Sequence, residues 1–326
     1  CKWSDLVGVN GVGLYEFDEA AGWYRPHQSC EMRYLNREFC EVCKRQIRYK
    51  IKSVIENAVS DNEVIYNADQ LKSYCSRVAA GASTTGKTVT LANDITLSGT
   101  DNISVMKKFN GTFNGNGHII RGIHINSSEG TTGLIGELGS SASVLNLAIE
   151  SANITGDGYY VGGIVGNNKG TIYGCSFNGQ VQGKSGTGGI AGNNSGTIHD
   201  CYNLGTVHST AQVSGGIIGW MEGGTMYNCF NYGKITVGNS WYGGVCGYNP
   251  GGTVSSCYFL EGTAGEGVAG QGSTTAVKKT AAEFSNGSVT SSLNAVNAIW
   301  KQGASYPVFT YTSTPIQQET TTAKTY

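Results

Sequence analysis

The sequence predicts a mainly β fold, a right-handed parallel β-helix with coils of about 26–28 residues. Three series of residues predict this solenoid, because they recur in step along the middle of the chain. Glycine pairs return at spacings of 26, 27 and 28 residues, at Gly162-Gly163, Gly188-Gly189, Gly215-Gly216 and Gly243-Gly244. A Gly-Thr-apolar triplet follows each pair, at 170–172, 196–198, 224–226 and 252–254. A cysteine stands three residues after each triplet, at Cys175, Cys201, Cys229 and Cys257.

Each coil is expected to place one apolar residue in each interior position, so that neighbouring coils build stacks. One predicted stack is Ile164, Ile190, Ile217 and Val245, and another is Ile172, Ile198, Met226 and Val254. The four cysteines form a third stack, and Val181, Val207 and Ile235 a fourth. Coils about 4.8 Å apart with parallel Cβ vectors are poor disulfide geometry, so these cysteines are predicted to be buried thiols in the core.

The elements follow in order along the chain. Residues 1–60 hold irregular motifs and an amphipathic helix at 43–59, and residues 61–108 form a cap of one helix and short strands. The cap helix is predicted at about 68–80, with Asn67 as N-cap and Gly81 as its stop. The β-helix occupies 109–262, and a C-terminal cap at 263–312 is expected to close the last coil. A Thr/Gln-rich linker or tail follows at 313–326.

The composition fits a folded repeat. Glycine makes up 49 of 326 residues and charged residues only 14%, which excludes a coiled coil and a charge-rich disordered chain. A net charge of −1 predicts no nucleic-acid partner, and no apolar stretch is long enough for a membrane span. The chain starts at Cys1 without a signal peptide or a tether, which favours a processed or excised fragment over a lipoprotein.

Two sequence patterns suggest chemistry but lack its context. Residues 81–88 match the phosphate-loop pattern G-x-x-x-x-G-K-[ST], yet a helix precedes them and a strand follows, the reverse of the order that cradles phosphate. The five histidines are scattered and no H-E-x-x-H occurs, so a zinc site made from this chain alone is not expected. We therefore predict neither a nucleotide site nor a metal site in this chain.

The solenoid is poor in catalytic carboxylates but rich in aromatic residues. From residue 157 to the end of the solenoid its acidic residues are few and interpreted as unpaired, with no clustered carboxylates, which argues against polysaccharide cleavage but not against sugar binding: Asp157, Asp200, Glu222 and Glu261. Six aromatic residues could stack on sugars, although packing is the favoured interpretation: Tyr160, Tyr202, Trp220, Tyr232, Trp241 and Tyr242.

The N-terminal segment contains five short motifs in close succession: Trp3–Val9, Gly11–Glu16, Trp23–Pro26, Ser29–Arg33 and Phe39–Cys43. Over about 55 residues it resembles the end of the catalytic domain of secreted metallopeptidases of the IgA-peptidase kind, a metzincin-like group. The resemblance implies that residues 1–60 are the C-terminal edge of an α/β metallopeptidase domain. It also implies a zinc ion ligated upstream of this chain, where an H-E-x-x-H helix supplies the general base.

The resemblance assigns supporting roles to four residues. Met32 matches the Met-turn beneath the metal ligands, and Tyr34 matches a tyrosine near the transition-state oxyanion. Tyr24 and Arg25 match positions that shape the substrate cleft, and ordinary loop packing is the alternative interpretation for all four. The pairing of Cys1, Cys30, Cys40, Cys43 and Cys75 stays open, with Cys30, Cys40 and Cys43 expected to brace this loop.

The solenoid pattern Gly-Gly-Ile-x-Gly-x-Asn-x-Gly-Thr-Ile-x-x-Cys resembles the GLUG-type repeats of bacterial surface proteins and secreted IgA proteases, over about 65–310. Together the resemblances imply the C-terminal portion of a secreted or surface-bound bacterial zinc metalloendopeptidase that cleaves a host glycoprotein, immunoglobulin A by expectation. Its partners would be that substrate and the upstream catalytic fragment, without which the chain is expected to be inactive. The alternatives are a non-catalytic surface adhesin built on the β-helix and a purely structural stalk.

Overall fold

The computed structural model of the protein describes residues 61–98, 102–237, 241–270 and 274–311, together with two short strands nearer the N-terminus. The chain divides into two compact units, 1–58 and 59–326. In the first unit, strands Tyr15–Glu16 and Tyr24–Arg25 pair in antiparallel fashion. The helix predicted at 43–59 and the tail at 313–326 lie outside the described residues, so both stay predictions.

The second unit opens with the helix that the sequence predicts. Helix α1 spans Ala68–Ala79, and the Asn67 side chain caps it by accepting a hydrogen bond from the Gln70 amide at 3.0 Å. Gly81, at φ +99°, follows the helix in a left-handed conformation that favours glycine. Strand Thr88–Leu91 comes next, so the helix–loop–strand order that excluded a phosphate loop is confirmed. The described helices include none long and apolar enough to cross a membrane.

The rest of the unit is a parallel β-solenoid of about seven turns. From Thr131–Thr132 onward each turn passes through three sheets, and every described strand pair within those sheets is parallel. The five-stranded sheet contains Thr131–Thr132, Tyr160–Gly162, Thr187–Gly188, Val213–Gly215 and Trp241–Gly243. The six-stranded sheet contains Met106–Phe109, Ile135–Leu138, Val165–Asn168, Ala191–Asn194, Ile218–Met221 and Cys246–Tyr248.

The third sheet has 18 strands, and we call it the large sheet. Its longer strands turn a corner and pair with two successive strands of the next coil, as Ser176–Gly183 does with Tyr202–Asn203 and Thr206–Ser209. The sheet contains Asn62–Ile65, Thr88–Leu91, Ile95–Thr96, Thr112–Asn114, Ile119–Arg121, His124–Ser127, Ser143–Leu145, Ala148–Gly156, Thr171–Tyr173, Ser176–Gly183, Thr197–His199, Tyr202–Asn203, Thr206–Ser209, Thr225–Tyr227, Phe230–Asn231, Ile235–Val237, Thr253–Leu260 and Thr274–Lys279.

Parallel pairing starts earlier than the predicted boundary at residue 109. Strand Thr88–Leu91 pairs with Thr112–Asn114, and Ile95–Thr96 pairs with Ile119–Arg121. These strands carry buried residues at the same interior positions as the later coils, although no glycine pair marks them. The part of the chain interpreted as a cap therefore supplies a first turn of the solenoid, and helix α1 packs against the same core.

The predicted interior stacks are confirmed. Ile172, Ile198, Met226 and Val254 lie in one register, each 2% exposed or less. Backbone hydrogen bonds of 3.0–3.1 Å link Ile164, Ile190, Ile217 and Val245 from coil to coil, and all four are fully buried. The cysteines of the third stack are buried free thiols, as predicted: Cys175, Cys201, Cys229 and Cys257.

The glycine pairs exist because two strands bend there with no room for a side chain. A Cβ atom on Gly216 would lie 2.2 Å from the Gly244 carbonyl oxygen and equally close to the Asn231 side chain. A Cβ atom on its partner Gly215 would lie 2.0 Å from the Ile218 carbonyl oxygen. Real Cβ atoms do not approach backbone this closely, so glycine at both positions is a steric requirement of the turn.

A second corner explains the residue that precedes each cysteine. At this corner the chain adopts positive φ, with Gly174 at 63°, Asp200 at 53°, Asn228 at 56° and Ser256 at 49°. The left-handed region favours Gly, Asn and Asp, which are three of these four residues. The following thiol then donates to the carbonyl oxygen two residues upstream, at 3.2 Å in Cys175, Cys201, Cys229 and Cys257.

The C-terminal segment first pairs with the last coil, through Val268 and strand Thr274–Lys279, and then packs along the side of the solenoid. Strand Thr274–Lys279 extends the large sheet, and helices α2 (Ala281–Ser285) and α3 (Ser288–Asn294) and the antiparallel strands Trp300–Gln302 and Pro307–Phe309 follow. We call residues 281–311 the side strap. The side strap packs against several coils, because the outer face of the solenoid is apolar there. Tyr202, Phe230, Tyr232 and Tyr258 of the solenoid form one cluster with Phe284, Leu293, Trp300 and Phe309 of the strap.

Candidate functional site

The peptidase-like positions fall largely outside the described residues. Met32 and Tyr34 lie there, so their proposed roles stay predictions. Tyr24 and Arg25 form a two-residue strand, whose side chains are not described. Among the cysteines whose pairing the sequence left open, Cys75 is a free thiol on the buried face of helix α1.

Three of the described histidines each have one polar side-chain partner. His118 lies 3.1 Å from a carboxylate oxygen of Asp94, His199 lies 2.7 Å from Asp200, and His208 lies 2.9 Å from the Thr236 hydroxyl. Within the described ranges, no three His, Cys, Asp or Glu side chains lie close enough together to hold a metal ion. The zinc that the peptidase resemblance implies is expected on ligands upstream of this chain and stays a prediction, and no catalytic step through zinc is assigned to the described residues.

A shallow groove of about 440 Å³ crosses three coils of the large sheet. It forms where the sheet bends, because a bulge at Ser151, with φ 52°, interrupts the pairing of one long strand with the next. The groove is open and mostly polar, and its lining is Ser151, Ala152, Asn153, Asn178, Gly179, Gln180, Leu204, Gly205 and Thr206.

The polar side chains of the groove form a ladder. Asn153, Gln180 and Thr206 occupy one register on three successive coils, and all three reach solvent. Adjacent strands are about 4.8 Å apart, so hydrogen-bonding groups repeat at that interval along the solenoid axis. A ladder of this kind can bind an extended polymer, whether peptide or glycan, but it holds no residue suited to cleaving one.

Asp200 is the centre of a buried polar cluster that we call the Asp200 staple. The residue is 0% exposed, and its carboxylate accepts hydrogen bonds from Asn228, from Asn297 at 3.1 Å and from the Trp300 indole at 3.3 Å. His199 lies 2.7 Å away. The partners of Asp200 come from the preceding residue, from the next coil and from a strap about 100 residues away, and none of them is a second carboxylate.

The electrostatics of the staple favour a charged carboxylate. Burial by itself would raise the pKa of Asp200, but hydrogen bonds from His199, Asn297 and Asn228 outweigh it and lower that pKa. The staple thus holds a buried anion between the solenoid and the side strap. No substrate could reach it without first displacing the strap, so its role is structural.

Aromatic residues gather where the five-stranded and six-stranded sheets meet. Asn193, Trp220 and Tyr248 occupy one outward register on three successive coils. The ring centroids of Trp220 and Tyr248 are 4.5 Å apart, and those of Trp241 and Tyr248 are 5.3 Å apart with the rings nearly perpendicular. Trp241 is 46% exposed, and the adjacent Tyr242 is 41% exposed. We call the group of Asn193, Trp220, Trp241 and Tyr248, with Tyr160 and Glu222, the aromatic edge.

Polar groups complete the aromatic edge. The Asn193 amide donates to a Glu222 carboxylate oxygen at 2.9 Å and to the Asn167 side-chain oxygen at 3.1 Å. Burial and then the negative charge of Glu222 raise the pKa of the Tyr160 phenol. The edge therefore combines exposed aromatic faces with fixed hydrogen-bonding groups.

The six aromatic residues selected from the sequence lie in two different environments. Tyr202 and Tyr232 pack beneath the side strap, where Tyr202 stacks on Phe230 with centroids 5.0 Å apart, so packing is confirmed for both. Tyr160, Trp220 and Trp241 belong to the aromatic edge, and Tyr242 is exposed beside it. The side strap covers the first group and leaves the second uncovered, and the repeat pattern of the coils does not show where the strap packs.

Buried asparagines are the residues that sequence reasoning missed. Asn203 donates to the Asn231 side-chain oxygen at 2.8 Å, and each also closes a local turn with the glycine two residues later. Asn168 donates to Asn194 in the same way at 2.6 Å. The signal was present as a recurrent N-x-G spacing, which places an amide beside a turn that needs both a donor and an acceptor.

The comparisons with known proteins support the solenoid. The model of the GLUG motif matches residues 157–182. A crystal structure of a "putative immunoglobulin A1 protease" from Bacteroides ovatus has a similar fold, with a TM-score of 0.59 and 22% identity, over 76% of this chain and 91% of that one. At that identity the likeness establishes the fold alone.

One curated relative matches by sequence. Halomucin of Haloquadratum walsbyi is 43% identical over 76 residues, which make up 23% of this chain and 1% of halomucin. The chain thus spans a very small part of that relative's length.

Proposed function

We propose that this chain is the C-terminal portion of a secreted bacterial zinc metalloendopeptidase that cleaves a host glycoprotein, with immunoglobulin A as the substrate. The observation that carries the proposal is the likeness in fold to the Bacteroides ovatus protein, which extends over 91% of that chain. The motif series at residues 1–43 supports the same assignment. The GLUG motif at 157–182 fits a protein of the cell surface or the surrounding medium.

In this proposal the N-terminal unit belongs to the catalytic domain, and the solenoid has a supporting role. Zinc, ligated by residues upstream of this chain, would polarise the scissile carbonyl and activate water. Met32 would support the metal ligands, Tyr34 would face the oxyanion, and Tyr24 and Arg25 would shape the cleft. The solenoid would act as a spacer or substrate-positioning arm, since its open groove offers a ladder of hydrogen-bonding side chains for an extended segment of substrate.

The test uses the full-length protein that contains this chain. It should cleave immunoglobulin A in the presence of zinc, faster than casein, and a chelator should abolish cleavage. Met32→Ala should reduce kcat by at least about tenfold, because loss of the thioether floor misplaces the metal ligands. Asp157→Asn, a change at an exposed residue of the solenoid, is the matched control. Absence of zinc-dependent proteolysis from the full-length protein would refute the proposal.

A second candidate is a non-catalytic surface adhesin. The exposure of Trp241 and Tyr242 favours it, because large aromatic side chains left half in water on a rigid scaffold are typical of binding surfaces. Full-length protein that binds a host glycoprotein tightly but never cuts it would select the adhesin over the peptidase.

A further inference from the structure

The aromatic edge presents flat rings on a rigid backbone. Trp220 and Tyr248 lie on adjacent strands of the six-stranded sheet, and Trp241 ends the five-stranded sheet beside them. Tyr248 contacts both tryptophans, at centroid distances of 4.5 and 5.3 Å. Parallel hydrogen bonding fixes both strands, so the rings are held in place before any ligand arrives. That preorganisation lowers the entropy that binding would cost.

The polar part of the edge is equally fixed. Asn193 is fully buried, and its amide nitrogen donates to Glu222 at 2.9 Å and to Asn167 at 3.1 Å. Its side-chain oxygen is buried without a partner in the protein. Glu222 and Asn167 both reach solvent, so they have further hydrogen-bonding capacity for a ligand.

Rings beside a carboxylate and amides match the chemistry of a sugar. One face of a pyranose ring carries C–H bonds with partial positive charge, which pack on the negative face of an aromatic ring. Its hydroxyl groups donate to carboxylate and amide oxygens. A hydrophobic peptide would leave Glu222 facing apolar atoms, and an acidic ligand would meet its negative charge.

From these observations we infer that the aromatic edge is a binding site for a neutral glycan of several sugars, with one pyranose ring stacked on Trp241. The hydroxyls of further sugars would be bound by Glu222 and by Asn167, which lies three coils from Tyr248 in the strand register. Trp220 and Tyr248 support the stacking ring, and Asn193 positions the two polar groups. The site does not depend on the peptidase assignment, because an adhesin would use it in the same way.

The test is calorimetric titration of the chain with one biantennary N-glycan in two forms, asialo and disialylated. The asialo form should bind saturably below about 1 mM. Trp241→Ala should weaken that binding by about tenfold or more, because the stacking face is lost. Glu222→Gln should bring the disialylated form to within about threefold of the asialo form, because the repulsion is removed.

Matched variants keep the result interpretable. Trp241 is nearly half exposed, so its replacement should leave the solenoid folded, and circular dichroism checks this. Tyr227→Ala is the control, since Tyr227 is also an outward aromatic residue but stacks on His199, 4.8 Å away, on the large sheet. It should bind the asialo glycan like the wild type.

Four results would overturn the inference. They are absence of binding by either glycan, equal binding of both forms by the wild type, undiminished binding by the Trp241 variant, and loss of binding in the Tyr227 control. A second copy of the chain could instead occupy the edge. Concentration-dependent dimerisation that Trp241→Ala abolishes would establish that occupant and reject the glycan.

Discussion

The Asp200 staple should hold the side strap on the solenoid. Replacing Asp200 with alanine removes the acceptor shared by Asn228, Asn297 and Trp300. Asn228 is fully buried and Trp300 is 3% exposed, so their N–H groups cannot turn to water, whereas Asn297 is partly exposed and can. Two buried donors left unpaired at about 2 kcal/mol each give an expected loss of about 4 kcal/mol in strap docking.

Asp200→Asn should weaken strap docking less, by about 2 kcal/mol, because the asparagine side chain keeps the shape and one acceptor oxygen. The remaining loss arises because its NH2 group is a donor that faces other donors. Hydrogen exchange read across the chain is the measurement. Amides of the strap, such as those of Ile299 and Thr310, should exchange about 10³-fold faster in the alanine variant. Exchange in the coils before residue 170 should stay unchanged, because a solenoid transmits stability mainly between neighbouring coils.

The same staple predicts a pH dependence. The folded pKa of Asp200 is lowered relative to the unfolded chain, where an aspartate titrates near about 3.9. Its contribution to docking is therefore complete above that unfolded pKa, and it is lost as the pH falls through the lower folded value. Asp157→Asn, at an exposed residue, is the control and should change neither stability nor its pH profile. Strap amides that stay protected in Asp200→Ala would refute the reasoning.

Three further experiments test the interior of the solenoid. Gly216→Ala should destabilise the solenoid by about 3 kcal/mol in urea unfolding, because its Cβ atom would lie 2.2 Å from a carbonyl oxygen. Gly251 has open space around it, so Gly251→Ala is the control and should leave stability unchanged. Met226→Ala should cost about 2–5 kcal/mol by leaving a cavity in a fully buried stack, and an unchanged unfolding midpoint would contradict that interior position. Burial raises the pKa of the Cys175 and Cys229 thiols, so Ellman's reagent at pH 8 should react with neither before the chain unfolds. Rapid labelling of either thiol in the native protein, detected by mass spectrometry, would contradict the thiol stack.

The repeat made the solenoid predictable from the sequence. A fixed spacing of apolar residues specifies which positions must stack, and Ile172, Ile198, Met226 and Val254 do so without exception. Helix α1 was predictable for a local reason, since Asn67 and Gly81 are signals for its start and end. Both results depend on short-range patterns that a single sequence displays.

Contacts across long separations were not predictable. The side strap docks on Asp200 and Tyr202 by way of Trp300, about 100 residues away, and nothing in the coil pattern distinguishes covered aromatic residues from exposed ones. The first turn was also missed, because Thr88–Leu91 adopts the solenoid conformation without the glycine pair. The sequence signal that marked the later coils was therefore lacking there.

The most direct test of the account is whether this chain binds immunoglobulin A without cutting it. Surface plasmon resonance with the immunoglobulin immobilised measures binding, and gel analysis of the same incubation measures cleavage. A substrate-positioning arm whose zinc ligands lie upstream should bind reversibly and leave the immunoglobulin intact, with or without added zinc. Cleavage by the chain alone, or no binding at concentrations up to about 100 μM, would contradict the account.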